Sequence, residues 1–331
     1  MGAAGDVPDV GARHNLTGAL CVCGGAFSIG LINLIIKSLS GDYSLTQFLV
    51  VRGLAAVPVM AGLVLWEGGL GGFRVVRPGI VLLRGTIFFV ATIAFGLAIS
   101  QLAIADTVSV YYIMPLLIAG LAGPVLGEDV PLHRWLALVV GFAGVLVIVN
   151  PGSGILKWGA LIALFGATIE SFGQLTSRLM AANTSSAIGL YQTLIIFAGS
   201  LGLAVVTAGG SFEASLPASL AFLTRAWTWP TPGDLGLMIL CGPITAIAVW
   251  LYVHAYKIAQ ASFIAPFDYT SLIWASLSGF VFFGEIPAAT TWAGAAIVAA
   301  AGLFMLKQES GDDATISSTP ASIDTRDHDQ K

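Results

Sequence analysis

Charge is what this sequence has least of. Asp, Glu, Lys and Arg make up 10% of its 331 residues, against roughly a quarter in a soluble domain. Even that small share is concentrated at the ends. Eleven of the 32 formal charges lie in residues 1–16 and 308–331. A soluble fold with so little charge over its middle 291 residues has no means of covering its surface with polar groups. Cysteine is scarce as well. Cys21, Cys23 and Cys241 all sit in apolar stretches, which excludes a disulfide framework and gives no metal-ligand spacing. The four histidines are scattered and no His-Glu-x-x-His, paired acidic motif or Ser–His arrangement occurs, so the sequence offers no constellation for an intramembrane enzyme. Gly152-Ser153-Gly154 resembles a serine motif but has no histidine placed to serve it. There is no basic stripe, and so no footprint for nucleic acid. A phosphate-binding glycine loop is missing too, which leaves ATP out as the energy source. No cofactor and no metal site is expected.

What fills the chain instead is apolar residues. Counting Gly and leaving out Tyr, about 66% of the sequence is apolar, against roughly 45–50% in soluble domains. They fall into ten runs at about 17–36, 44–66, 79–101, 106–126, 133–150, 155–180, 186–208, 234–257, 261–283 and 290–307. Runs of this length are membrane-spanning helices; membrane strands are about 9–11 residues and alternate. The first run exceeds the apolar stretch of a secretion signal and follows acids rather than a basic start, so it reads as a retained span. Trp66, Trp135, Trp158 and Trp292 sit at run ends, where interfacial aromatics belong. The expected fold is an all-α polytopic membrane protein. Residues 1–16 and 308–331 are expected to be tails on the cytoplasmic side, the latter disordered for want of apolar residues. Loop 209–233, with Trp227 and Trp229, reads as lying on the membrane surface, with cargo binding the weaker alternative.

Lys and Arg set the orientation. With the N-terminus inside, ten of them fall on the cytoplasmic side: Arg13, Arg74, Arg77, Arg84, Arg134, Arg178, Lys257, Lys307, Arg326 and Lys331. Three fall outside, Lys37, Lys157 and Arg225, and Arg52 lies within the second run. Both termini are therefore expected in the cytoplasm.

The chain also repeats itself. Ala103-Ile104-Ala105-Asp106, Gly127-Glu128 and Trp135 recur as Ala259-Gln260-Ala261-Ser262, Gly284-Glu285 and Trp292, at offsets of 156 and 157 residues. Five spans is an odd number, so the copies at 17–150 and 155–307 enter the membrane in opposite directions. Inverted repeats of this kind are the mark of alternating-access transporters, with the site near the bilayer midplane. Further elements come in order: Leu82-Leu83-Arg84-Gly85, Met114-Pro115-Leu116, Leu126-Gly127-Glu128, Arg134-Trp135 and Gly141-Phe142-Ala143-Gly144-Val145 in the first copy, then Ala265-Pro266-Phe267-Asp268-Tyr269-Thr270-Ser271 and Phe283-Gly284-Glu285-Ile286-Pro287 in the second. Taken together, and occurring twice, they resemble a ten-span bacterial EamA-type member of the drug/metabolite transporter superfamily over residues 17–307. The resemblance implies ten transmembrane helices, as two inverted five-helix repeats around a central cavity, that move small organic metabolites. The Asp268–Ser271 stretch is similar to members for amino-acid-like or S-adenosylmethionine-like cargo.

Ionisable groups inside a membrane cost roughly 2.5–3.5 kcal/mol on insertion scales and normally face a bundle interior or cavity. Four stand out: Glu170, Asp268, Arg52 and His254. Glu170 shares a helix face with Gln174 and Ser177. It either lines the cavity, as a cation or proton site, or pairs with Arg52 or another helix. Asp268 follows Pro266 and is either a cation or proton site or a brace for a proline kink. Arg52, eight residues into its span, either grips a carboxylate or forms an ion pair with an acid on another helix. His254, one turn from Trp250, is a packing residue or a proton relay. Tyr269 and Trp274 pack, or stack on a flat cargo; Asn33 and Tyr111, with Gln101, Tyr112, Tyr191 and Gln192, are further polar candidates. Glu128 and Glu285, beside loops, read as architectural.

The expectation is a secondary transporter in the bacterial cytoplasmic membrane, working by alternating access, as a monomer or homodimer, with protons as one choice of coupling ion. Small polar metabolites are the cargo, amino acids first and efflux slightly ahead of uptake on the resemblance alone. Uptake of a vitamin or an S-adenosylmethionine-like metabolite is the alternative. A passive channel or a non-transporting receptor or scaffold is the rival class.

Overall fold

The computed structural model describes residues 10–114, 116–117, 121, 132–149, 158–180, 182–207, 221–258, 267 and 270–317. Every regular element among them is helical. In chain order they are α1 (Val10–Leu39), α2 (Leu45–Gly68), α3 (Pro78–Gln101), α4 (Ile104–Tyr111), α5 (Leu132–Val149), α6 (Trp158–Arg178), α7 (Ser185–Thr207), α8 (Pro232–Ile258), α9 (Thr270–Phe283) and α10 (Ala289–Ser317), with a 3-10 turn at Gly69–Phe73 and a single turn at Ala221–Thr224. Five stretches among the described residues, Leu16–Leu39, Leu45–Phe73, Pro78–Gln101, Ser185–Thr207 and Pro232–Ala255, are long and apolar enough to cross a membrane. Their outer faces are uncovered hydrocarbon: Leu20, Leu54, Leu82 and Val205 are all exposed. Trp66, Trp135, Trp158 and Trp292 are exposed as well, as residues at a lipid headgroup boundary should be.

Local chemistry sets the helix ends. Ser44 caps α2, its Oγ accepting from Gln47 N at 3.2 Å, and Thr184 does the same for α7 through Ala187 N at 3.2 Å. Pro78 opens α3, where a missing N–H costs nothing. Two ends differ from expectation. Helix α1 starts at Val10, and α10 runs to Ser317 rather than giving way to disorder at 308. Polarity ends the span but not the helix. Once the helix is nucleated in the apolar stretch, Lys307, Gln308, Glu309 and Ala314 extend it without a new nucleation step.

The helices pack as two halves of five. The most extensive contacts are α5 with α10, α1 with α8, α3 with α6 and α2 with α7. Exchanging α1–α5 for α6–α10 turns the α1–α8 contact into α6–α3, α2–α8 into α7–α3 and α1–α9 into α6–α4, all of which are present, while α2–α7, α4–α9 and α5–α10 map onto themselves. This is the contact pattern of a two-fold relation between inverted halves.

Polar ties hold each end of the bundle. At one end Lys37 forms an ion pair with Glu285 and donates to Leu102 O at 2.6 Å, while Glu285 also accepts from Ile104 N at 3.3 Å. Glu285 thus ties the α9–α10 link to α1 and to the α3–α4 break, the architectural role expected of it; Glu128, its counterpart, lies outside the described residues. Residues 225–231 of the long loop are strapped over the same end. Gln47 Nε2 donates to Thr228 O at 2.6 Å, Trp227 Nε1 reaches Thr46 Oγ1 at 3.5 Å, and Arg225 donates to Ser40 O at 3.0 Å. Tyr43 donates to Asp234 at 2.7 Å; keeping that proton raises the Tyr43 phenol above its ordinary pKa.

At the opposite end Glu67, in the last turn of α2, accepts from Ser186 N at 3.0 Å, Ser186 Oγ at 2.6 Å and Trp250 Nε1 at 2.6 Å. One carboxylate therefore joins α2, the N-terminus of α7 and α8, where a negative charge also meets the positive end of the helix dipole. Glu67→Ala leaves the indole and the Ser186 N–H without their acceptor, and the Ser186 hydroxyl with only Thr184 Oγ1 at 3.4 Å. Each stranded donor costs about 1–3 kcal/mol when buried, so unfolding in detergent followed by tryptophan fluorescence should show a clearly lower midpoint for Glu67→Ala than for the wild type.

Candidate functional site

Helix α6 carries Glu170 at its middle, with Gly166 one turn before it and Gly173 one turn after. These glycines let neighbouring helices close on the face that carries the carboxylate. A Cβ at Gly166 would stand 2.3 Å from Tyr111 Oη of α4, and one at Gly173 would stand 2.8 Å from the Phe88 ring of α3. Small residues at helical spacing permit this approach in membrane bundles. Tyr111 itself meets Phe95 edge to face, with ring centroids 4.9 Å apart, and its Oη is buried with no hydrogen-bond partner.

The cation that reaches the turn of α6 after Glu170 is Arg84, while Arg52 lies against α7 and α8. Arg84 had been placed with the cytoplasmic flanking charges. It is instead buried in α3 at 4% exposure. Its Nη1 donates to Gly173 O at 2.7 Å, and its guanidinium lies over Phe88, 4.3 Å from the ring centroid. The acceptor is on the same turn of α6 that opens the approach, so Arg84 pins α3 to α6 beside the carboxylate. The pairing of Glu170 with Arg52 considered from the sequence does not form: no ion pair is made by either residue among the described residues.

Glu170 keeps part of its surface open although α3, α4 and α6 surround it, and among the described residues it makes neither a hydrogen bond nor an ion pair. Gln174 follows one turn later and is likewise half-buried. The group is a carboxylate, an amide and a phenol with unused hydrogen-bonding capacity, with Tyr111 packed at Gly166, Phe88 packed at Gly173 and the Arg84 guanidinium on that same turn. It can accept N–H donors or a cationic centre, and it can exchange a proton.

The remaining candidates go elsewhere. Asn33 is buried in α1 at 4% exposure. His254 stacks on Trp250, with centroids 4.9 Å apart and 11° between planes, at the end where Trp250 holds Glu67. Trp274 meets Phe27 of α1 edge to face at 4.8 Å, and its Cβ sits where a Cβ on Gly30 would lie 3.0 Å away. Arg52 is buried in α2 against α7 and α8. Asp268 and Tyr269 lie outside the described residues. Arg84 is the member of the cluster that sequence reasoning missed. The signal that points to it is the pair of glycines flanking Glu170, which marks the face onto which an adjacent helix closes.

Comparison with known proteins bears on this arrangement. Residues 16–150 match the model of the EamA-like transporter family. A riboflavin transporter of Rhizobium johnstonii is 30% identical over 73% of this chain and 74% of its own. An S-adenosylmethionine uptake transporter of Rickettsia prowazekii is 26% identical over 73% of this chain and 76% of its own. One solved crystal structure superposes with a TM-score of 0.61 over 89% of this chain and 97% of its own, at 18% identity, a likeness of fold. By the first of these relatives, the matched family model and the ten-helix architecture, this multi-pass membrane protein belongs to the EamA-like transporter family of the drug/metabolite transporter superfamily.

Proposed function

We propose that the chain is an uptake carrier for a ring-bearing metabolite, a flavin-like vitamin or an S-adenosylmethionine-like compound, in the bacterial cytoplasmic membrane. The observation that carries the reading is Glu170: a carboxylate with no partner among the described residues, on the face of α6 where the rings of Tyr111 and Phe88 close on the glycines one turn to either side. A fixed negative charge flanked by π-faces suits a flat heterocycle that donates N–H groups or carries a positive centre. The relatives named for riboflavin transport and for S-adenosylmethionine uptake support the same cargo class. They lend nothing to the amino acids and efflux put first from the sequence. In this reading the two halves rock about the site to expose it to each side in turn, with both termini in the cytoplasm. Glu170 serves as cargo ligand or as the group that takes up a coupling proton.

The test is uptake into proteoliposomes. Labelled riboflavin and labelled S-adenosylmethionine are offered beside a panel of labelled amino acids, with and without an inward proton gradient. Saturable accumulation of one ring-bearing compound, competed by its unlabelled form and ignored by the amino acids, is expected. Movement of amino acids with neither ring-bearing compound transported overturns the assignment. Equilibration of cargo without accumulation under any imposed gradient marks a channel instead.

A further inference from the structure

Helices α2, α7 and α8 enclose a second polar space, separate from the residues around Glu170. Its polar lining is Arg52, Gln192, Thr193 and Thr245, and its walls are apolar, among them Leu49 and Val249. Arg52 is 8% exposed and Gln192 6%. Gln192 Oε1 and Thr245 Oγ1 are buried with no hydrogen-bond partner. The guanidinium lies 5.8 Å from the Phe48 ring centroid, and among the described residues no carboxylate, carbonyl or hydroxyl accepts a hydrogen bond from it.

A buried guanidinium without a counter-charge is costly, because its lost hydration is not replaced by a partner. The other functions of an arginine do not account for this one. Snorkelling would bring the head group to the surface, and here it stays buried. An architectural arginine uses its donors on neighbouring helices, as Arg84 does on Gly173 O. Arg52 keeps its donors free beside a cavity of about 20 Å³. That is close to the room one water-sized occupant needs, and too little for a nucleotide, a phosphate ester or a flavin.

We propose that this cavity binds a single monovalent inorganic anion of halide size, chloride being the abundant one, held by the Arg52 guanidinium with hydrogen bonds from the Gln192 amide and the Thr245 hydroxyl, the Thr193 hydroxyl being spent on Gly189 O. Occupied, the site supplies the counter-charge that the described residues do not, and ties α2 to α7 and α8 across the join between the two halves. The anion is thus a resident ligand of the scaffold, and its binding does not depend on what the Glu170 region transports.

The test is the anion dependence of unfolding of the full chain in detergent, read by tryptophan fluorescence. Sodium chloride, bromide, acetate and gluconate are compared at equal ionic strength. Chloride and bromide are expected to raise the midpoint saturably, by roughly 3 °C at about 150 mM relative to gluconate, with acetate behaving like gluconate. Arg52→Met, which replaces the charge by an apolar chain of similar length, should lose the halide response; Gln192→Leu should shift it to higher concentration. Bromide anomalous scattering in crystals of the wild type should place one ion beside Arg52, a readout that holds even where a variant does not fold. Equal midpoints in chloride and gluconate overturn the proposal. So does a halide response unchanged in Arg52→Met, or stabilisation by acetate without stabilisation by halides, which would assign the cavity to the carboxylate of an organic solute.

Discussion

Glu170→Gln should reduce transport roughly 10- to 150-fold while leaving the protein folded. The substitution keeps the side chain's shape and removes its charge. A hydrogen bond to a charged group contributes about 1.5–3 kcal/mol, and at about 1.4 kcal/mol per tenfold that range sets the loss for a cargo whose donors face the carboxylate. Folding should survive because Glu170 holds no neighbouring helix among the described residues. The tie between α3 and α6 runs from Arg84 to the Gly173 carbonyl, not through the carboxylate. Losing Glu170's charge removes an anion one turn from the Gly173 carbonyl that Arg84 holds, so a small fall in the unfolding midpoint is expected beside the large functional loss. Glu170→Asp restores the charge one methylene short and should recover part of the rate. The measurement is initial uptake in proteoliposomes, together with the unfolding midpoint of each purified variant. Uptake by Glu170→Gln within a factor of two of the wild type would remove Glu170 from the site. A parallel collapse of midpoint and uptake would make the residue structural.

How visible the site was in the sequence depended on contrast. Glu170 is an acid in the middle of an apolar run, and nothing in helix chemistry puts one there by accident. The same contrast fixed the helices: α2, α3, α7 and α8 begin and end within two residues of their expected bounds, because Ser44, Arg74, Ser186 and Asp234 interrupt the apolar runs sharply. Arg84 had no such contrast. It lies six residues from Pro78, about 9 Å along the helix at 1.5 Å per residue, where a basic residue reads as a flanking charge. Its burial is decided by α6, more than eighty residues later in the chain. The choice between Arg52 and Arg84 as the neighbour of Glu170 is likewise a matter of which faces meet, and periodicity alone does not specify that. The helix ends at Val10 and Ser317 escaped for the opposite reason: composition reports where the membrane stops, and the backbone continues past it.

The contact between halves rests on glycines, and one substitution there should have the largest effect on stability. Gly242 of α8 lies directly against the backbone of α2. A Cβ at this position would stand 2.5 Å from Ala55 Cβ, 2.7 Å from Ala55 C and 2.8 Å from Ala56 N. Two of those three atoms are main chain inside a regular helix, so no rotamer change relieves the clash and the two helices must separate. Overpacking a well-packed interior costs about 1–3 kcal/mol even where side chains can yield; with backbone as the obstacle, Gly242→Leu should reach at least the top of that range. For a domain of this size that is a fall of roughly 5–10 °C in the unfolding midpoint. Moving α8 away from α2 also widens the space that Arg52 shares with Thr245 and Val249, so whatever ties those helices together is lost along with the packing. Gly236, on the same helix with open space where its Cβ would be, supplies the control. Gly236→Leu adds the same side chain, and since it replaces the poorest helix former short of proline, its midpoint should match or exceed the wild type's. Equal midpoints for the two leucine variants would mean that the α2–α8 contact is not closed at Gly242 in the membrane protein as purified.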